Sequence, residues 1–77
     1  MHELAITESL VDCVRENVGD ARVVRIVLEI GAMTAVAPDA VRACFELCAR
    51  QTPLEGAELA IVETPGQELR IREVEVI

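Results

Sequence analysis

Between residues 22 and 30 the chain alternates strictly. Val24, Ile26, Leu28 and Ile30 fall on one side and Val23, Arg25, Val27 and Glu29 on the other. A period of two over this length specifies a strand. The segments flanking it are periodic at three to four residues, which specifies helices. A strand held between two amphipathic helices must find a sheet and bury one face of it under those helices. The apolar set Val24, Ile26, Leu28, Ile30 is expected to face that core. The set Val23, Arg25, Val27, Glu29 is mixed and expected to be open to water.

The helix before the strand covers residues 3–18. Its stripe is Ile6, Leu10, Cys13 or Val14, and Val18, widened by Leu4 and Val11. Glu8, Asp12, Arg15 and Glu16 lie opposite. Glu8 and Asp12 are like charges one turn apart. They read either as a solvated acidic face or as a surface relieved by a partner's Arg or Lys. Gly19-Asp20 ends the helix. After the strand, Gly31 opens a loop over residues 32–37. Pro38 and Asp39 then suit the first turn of a second helix. That helix is expected to run to about Arg50, with Val41, Cys44, Phe45 and Cys48 as its stripe and Leu47 beside it. Cys44 and Cys48 share a face, but it is the apolar one, so both read as small core residues before metal ligands.

Residues 57–63 form a second strand, with Ala57, Leu59 and Ile61 facing in. Thr64-Pro65-Gly66-Gln67 is a turn signal. The third strand, 69–76, changes phase between Leu69, Ile71 and Val74, Val76, and a β-bulge near Arg72-Glu73 restores its core face. The first two strands are expected to be parallel, joined by a crossover through the second helix. The last two are expected to pair as a hairpin. The fold class is α+β, in the order α-β-α-β-β. It is a two-layer sandwich with a three-stranded mixed sheet and two helices on one face, forming one domain over residues 1–77.

Composition limits what such a domain does. Fourteen acidic residues oppose seven basic ones, all Arg, for a net charge of -7. That disfavours nucleic acid and anionic membranes, and suits a cation or a basic patch on a protein. No apolar run is long enough to span a bilayer, and no secretory signal pattern is visible. Cys13, Cys44 and Cys48 are odd in number and unpaired in spacing, which points to a reducing, cytoplasmic setting. The lone histidine, His2, and the isolated glycines provide neither a nucleophile–base pair nor a phosphate loop, so an enzyme is not expected.

His2 stands where it can share a metal with the chain terminus. The Met1 amine, the His2 amide nitrogen and the His2 ring nitrogen close two fused chelate rings and fill three corners of a square. Square-planar nitrogen coordination suits Ni(II) or Cu(II). The other reading of His2 is an exposed end residue ahead of a helix.

Several segments, in order, carry a family resemblance. They are Met1-His2-Glu3-Leu4, Val27-Leu28-Glu29-Ile30-Gly31, Pro38-Asp39-Ala40-Val41 with Phe45-Glu46, Glu55-Gly56-Ala57-Glu58-Leu59, and the run from Glu68 to Val76. With them the chain resembles the HypA/HybF family of hydrogenase-maturation nickel metallochaperones. The resemblance implies Ni(II) bound by Met1 and His2, with Glu3 tuning that site or docking a partner. It also implies delivery in the cytoplasm to the hydrogenase large subunit with the accessory GTPase HypB. In some organisms it implies urease maturation proteins as further partners. The first helix, through Glu8, Asp12 and Glu16, is the candidate docking face. An interaction module that docks without handling metal is the alternative.

Members of that family carry a zinc-binding domain with two Cys-x-x-Cys pairs between the last two strands. Here the chain passes from Val62-Glu63-Thr64 through Pro65-Gly66-Gln67 into Glu68-Leu69, so that domain is expected to be missing between about residues 64 and 68. A structural zinc site needs four ligands, so no zinc is expected. The fourth nickel position then falls to Glu3, to water or to another molecule. Nickel is expected to be held more weakly than in a full-length member, and Cu(II) at least as well as nickel. A short, strained hairpin turn at Pro65-Gly66 would favour strand exchange and a homodimer.

Overall fold

The computed structural model describes residues 2–77. Helix α1 spans Glu3–Val18, strand β1 Val23–Gly31, helix α2 Pro38–Cys48, strand β2 Glu58–Thr64 and strand β3 Leu69–Val76. A single 3-10 turn, Ala32–Thr34, follows β1. The α-β-α-β-β order and the α+β class are as expected. α2 stops at Cys48, short of Arg50.

The sheet order is β2-β1-β3. β1 pairs parallel with β2 and antiparallel with β3. The parallel pairing was expected, but the β2–β3 hairpin does not form. β1 carries the longest apolar alternation and has a pairing edge on each side. Placing it centrally satisfies both edges and buries the most apolar strand. The premise of a strained hairpin turn fails with the hairpin.

The core gathers Leu10, Val11 and Val14 from α1, Val23, Ile26, Leu28 and Ile30 from β1, and Val41 and Phe45 from α2. Ala57, Leu59, Ile61, Ile71 and Val74 pack against it. Both helices therefore cover the same sheet face. Two core members were not anticipated. Leu54 lies in the turn region after α2 and is fully buried, as is Ala49 nearly so.

Two register shifts define the faces of the sheet. On β3, Glu73 faces Val27 and Ile71 faces Leu28, so Arg72 is the extra residue. This is the expected bulge, and it lets Ile71 and Val74 both pack on the core. On β1, Val23 faces Val76 and Arg25 faces Glu75, so Val24 is the extra residue. The shift turns Val23 inward, where it is 1% exposed, and Val24 takes the outer phase.

The outer face of β1 is also not open to water. Val27 and Glu29 are 7% and 8% exposed. Side chains from strands on both sides close over a central strand, as they cannot over an edge one. Glu29 accepts from Arg70 Nε at 2.5 Å and lies 3.7 Å from Arg72 Nη1. Arg25 lies between Glu58 at 3.4 Å and Glu73 at 3.8 Å.

Strand order also explains Gly31. Since β2 and β3 flank β1, the connection at residues 65–68 must cross the end of β1. The Gly31 N–H donates to the Glu68 carbonyl at 2.6 Å, and the Met33 N–H donates to the Gly66 carbonyl at 2.9 Å. A Cβ on Gly31 would overlap the Gly66 carbonyl oxygen and lie 2.7 Å from the Glu68 nitrogen. Only glycine lets the crossing segment sit this close.

Candidate metal centre

α1 begins at the end of the molecule where the crossing segment lies. His2 precedes the helix with φ 60 and ψ 27, in the left-handed region, and its side chain offers no cap. Such a conformation is uncommon for a residue with a Cβ. The His2 carbonyl accepts from the Ile6 N–H at 3.1 Å, which closes the first helical turn. The residue is exposed. Its ring takes no hydrogen-bond or ion-pair partner among the described residues. Met1, whose amine enters the expected chelate, lies outside the described residues.

Glu3 is half-buried and points back into the protein. Its Oε2 accepts from the Ala37 N–H at 2.9 Å. Ala37 is the residue immediately before α2. The first turn of a helix leaves backbone N–H groups without intrahelical acceptors, and its positive end favours a carboxylate. The Glu3 carboxylate thus serves the start of a helix 34 residues away in sequence. The fully buried Thr7 hydroxyl donates back to the Glu3 carbonyl at 2.6 Å. Glu3 is held from both its side chain and its backbone.

The loop between β1 and α2 carries this attachment further. The Thr34 hydroxyl donates to the Gly31 carbonyl at 2.7 Å and accepts from the Val36 N–H at 3.2 Å. Met33 is joined to Gly66 through its N–H, while its side chain stands 66% exposed. The start of α1, the loop over residues 32–37 and the crossing segment 65–68 therefore form one hydrogen-bonded end of the molecule.

Glu8, Asp12 and Glu16 are all exposed on α1. Glu8 and Asp12 line a shallow polar groove with Ala5, Ser9, Arg15 and Cys48, whereas Glu16 belongs to the next groove along, with Gly19 and Asp20. Neither Glu8 nor Asp12 makes an ion pair among the described residues. Cys48 on α2 packs against the core. Burial pushes its thiol pKa up, and the nearby Glu8, Cys44 and Asp12 push it further. A raised thiol pKa means less thiolate, which makes Cys48 a packing residue and a poor metal ligand. Among the described residues, no three His, Cys, Asp or Glu side chains converge as a metal cage.

Sequence reasoning did not find the Glu3–Ala37 bond or the burial of Glu29 between its arginines. A capping acid is ordinarily sought within the helix it caps or just ahead of it. This one comes from another helix and carries no local signal. Glu29 reads as a solvent-facing residue until β3 is placed beside β1.

The comparisons with known proteins agree with this architecture. A family described as hydrogenase/urease nickel incorporation, metallochaperone, hypA, matches residues 1–70. The hydrogenase maturation factor HypA of Nostoc punctiforme is 50% identical over 66 residues, covering 86% of this chain and 58% of that protein. The HypA of Geobacter metallireducens is 48% identical over 67 residues, covering 87% and 61%. The chain thus spans about three fifths of the length of these curated relatives. The solution structure of the Ni metallochaperone HypA from Helicobacter pylori shares the fold, with a TM-score of 0.70 at 17% identity, over 100% of this chain and 94% of that one. With residues 1–70 of its 77 matched and half its aligned positions identical to a curated member, the chain belongs to the HypA family.

Proposed function

We propose that this chain is the nickel-binding domain of a metallochaperone for [NiFe]-hydrogenase maturation, and that its cargo is held at the N-terminus. The Met1 amine, the His2 amide nitrogen and the His2 ring nitrogen supply three in-plane ligands. The fourth falls to the Glu3 amide, to water or to an atom of the recipient. The observation that carries this reading is the placement of His2. It is exposed, turned into a left-handed conformation ahead of α1, and followed by a residue tied to the start of α2. The histidine is presented to solvent from a fixed base. Glu3 acts on the site as that base, through the Ala37 N–H.

A carrier must release its cargo. With His2 exposed and no enclosing cage among the described residues, the proposed site leaves the metal open to exchange with a recipient. The proposed route is cytoplasmic: the hydrogenase large subunit receives nickel with the help of the GTPase HypB, and urease maturation proteins are further recipients. The acidic groove at Glu8 and Asp12, continued by Glu16, offers a docking face for a basic patch. No catalytic step and no zinc are assigned to this chain. We place the family's zinc-binding domain as missing at residues 64–68, and the four residues that link β2 to β3 support that placement.

The test is a calorimetric Ni(II) titration above neutral pH, after mass spectrometry confirms a free Met1. The intact chain should bind one equivalent, and His2→Ala should lose it. Blocking the amine should do the same. Tight binding that survives both changes would place the site elsewhere. No binding in either protein would favour the docking module, whose partner affinity Glu8→Lys with Asp12→Lys should then abolish.

A further inference from the structure

Among the described residues, three other than glycine take a positive φ: His2 at 60, Ala35 at 61 and Gln51 at 61. Gln51 lies in the turn after α2. The other two flank the ends of a single hydrogen bond. His2 directly precedes Glu3, Ala35 stands two residues before Ala37, and the Glu3 Oε2 accepts from the Ala37 N–H at 2.9 Å. A left-handed backbone is unfavourable for a residue with a Cβ, and it persists where the surrounding contacts over-determine it.

The two ends are held differently. On the turn side, the Thr34 hydroxyl joins the Gly31 carbonyl to the Val36 N–H, and the Gly66 carbonyl holds the Met33 N–H. The turn is thus fixed from β1 and from the crossing segment. On the other side, His2 is exposed and offers no side-chain cap to α1. A residue ahead of a helix ordinarily takes extended backbone. The Glu3–Ala37 bond joins this exposed end to the fixed turn.

We propose that Ala37, through its N–H, is a positioning residue for the terminal metal site. The fixed turn holds Glu3, and Glu3 holds His2 in its left-handed conformation before metal arrives. This rests on the nickel reading above and adds what governs retention and release. With the bond closed, binding does not have to order His2, and such ordering otherwise subtracts from affinity. With the bond open, His2 relaxes to extended backbone and the ordering cost weakens the hold. Displacing the turn over residues 32–37 therefore loosens the cargo without touching it. The coupling is reciprocal: metal strengthens the bond by the factor by which the bond strengthens metal binding.

The test uses Ala37→Pro, which removes the N–H and keeps the carbonyl that accepts from the Val41 N–H at 3.1 Å. The φ of -85 and ψ of 116 at Ala37 lie near what proline requires. Ni(II) is titrated calorimetrically into wild type, Ala37→Pro and His2→Ala, and its release to EDTA is followed by visible absorption. Circular dichroism confirms folding. Ala37→Pro should bind one equivalent with unchanged absorption bands, release it faster, and hold it about 2- to 30-fold more weakly, the range to which loss of a helix cap converts. In the unaltered chain, Ni(II) should slow hydrogen exchange of the Ala37 amide, relative to that of Val41, by about the same factor. A merely structural bond would leave that exchange indifferent to nickel. A folded Ala37→Pro that binds and releases nickel like wild type overturns the proposal, and so does an Ala37 amide that ignores nickel. Should Ala37→Pro not fold, the exchange measurement decides alone. A wild type that takes no nickel, or a His2→Ala chain that binds as tightly, overturns the terminal site itself and the positioning role with it.

Discussion

Replacing Gly31 by alanine should destabilise this domain far more than so small a change ordinarily would. The new Cβ would overlap the Gly66 carbonyl oxygen, lie 2.5 Å from the Gly66 carbonyl carbon and 2.7 Å from the Glu68 nitrogen. All three are backbone atoms, so no side-chain rotation relieves the contact. The crossing segment must lift, and with it go the Gly31–Glu68 and Met33–Gly66 hydrogen bonds at 2.6 and 2.9 Å. Two such bonds contribute roughly 1–3 kcal/mol. Forcing atoms into filled space costs about 1–3 kcal/mol more. The lower entropy of the unfolded alanine chain returns about 0.4–1 kcal/mol. The net loss is about 1–6 kcal/mol, a large part of the ~4–12 kcal/mol expected for a domain this small. Urea denaturation reads it directly. With m near ~1 kcal/mol/M, the midpoint should fall by about 1 M or more at unchanged m. Gly66→Ala is the control, because the nearest atoms its Cβ would meet belong to the Glu68 carboxylate, at 2.8 Å, and that side chain can rotate away. It should cost well under half as much. A Gly31→Ala midpoint equal to wild type, or a Gly66→Ala loss as large as Gly31→Ala, would refute the seating of residues 65–68 on the end of β1.

Glu3→Ala removes the acceptor for the Ala37 N–H and should cost about 0.5–2 kcal/mol, as loss of a helix cap does. Glu3→Gln keeps an acceptor and should recover at least half of it; thermal unfolding of the two variants checks this, and equal losses would deny the bond. Cys48 supplies a pH test. Its thiol pKa is raised above 9.0 in the folded chain by burial, with Glu8, Cys44 and Asp12 adding to the effect. The folded state therefore holds its proton longer than the unfolded state. That contribution is complete below about pH 9 and is lost as pH rises through the folded value. Stability measured from pH 7 to 10.5 should fall at the alkaline end, and Cys48→Ala should flatten the slope. Cys13, which is exposed, should react with a thiol reagent well before Cys48 does.

Much of the local structure was legible because its signals are local. The 3.6-residue stripes of α1 and α2, the alternation of β1, the proline at the start of α2 and the phase slip at Arg72 each act over a few residues. The terminal nitrogens at Met1-His2 are likewise adjacent in sequence, so the chemistry they suggest needs no fold to bring them together. Leu54 was missed because a single apolar residue in a turn has no periodicity to mark it, whereas Ala49 continues the four-residue step from Val41 and Phe45 and could have been read from it. Val23 was misplaced because the bulge at Val24 depends on the partner strand and leaves no phase slip within β1 itself.

The sequence by itself determined which segments become helices and strands and which faces of most of them are apolar, and it set side by side the nitrogens of the proposed metal site. These follow from side-chain periodicity and covalent adjacency. Only the tertiary structure decided that β1 lies between its two partners and that the last two strands are separated rather than paired. The same choice buries Glu29 beneath arginines, sends residues 65–68 across Gly31 and leaves β3 as a free edge. Docking of the helices likewise brought Glu3 to Ala37. Strand order is set by competition among pairings that are all locally satisfactory, and the winner is the arrangement that buries the most apolar strand in the middle. No stretch of sequence contains that comparison.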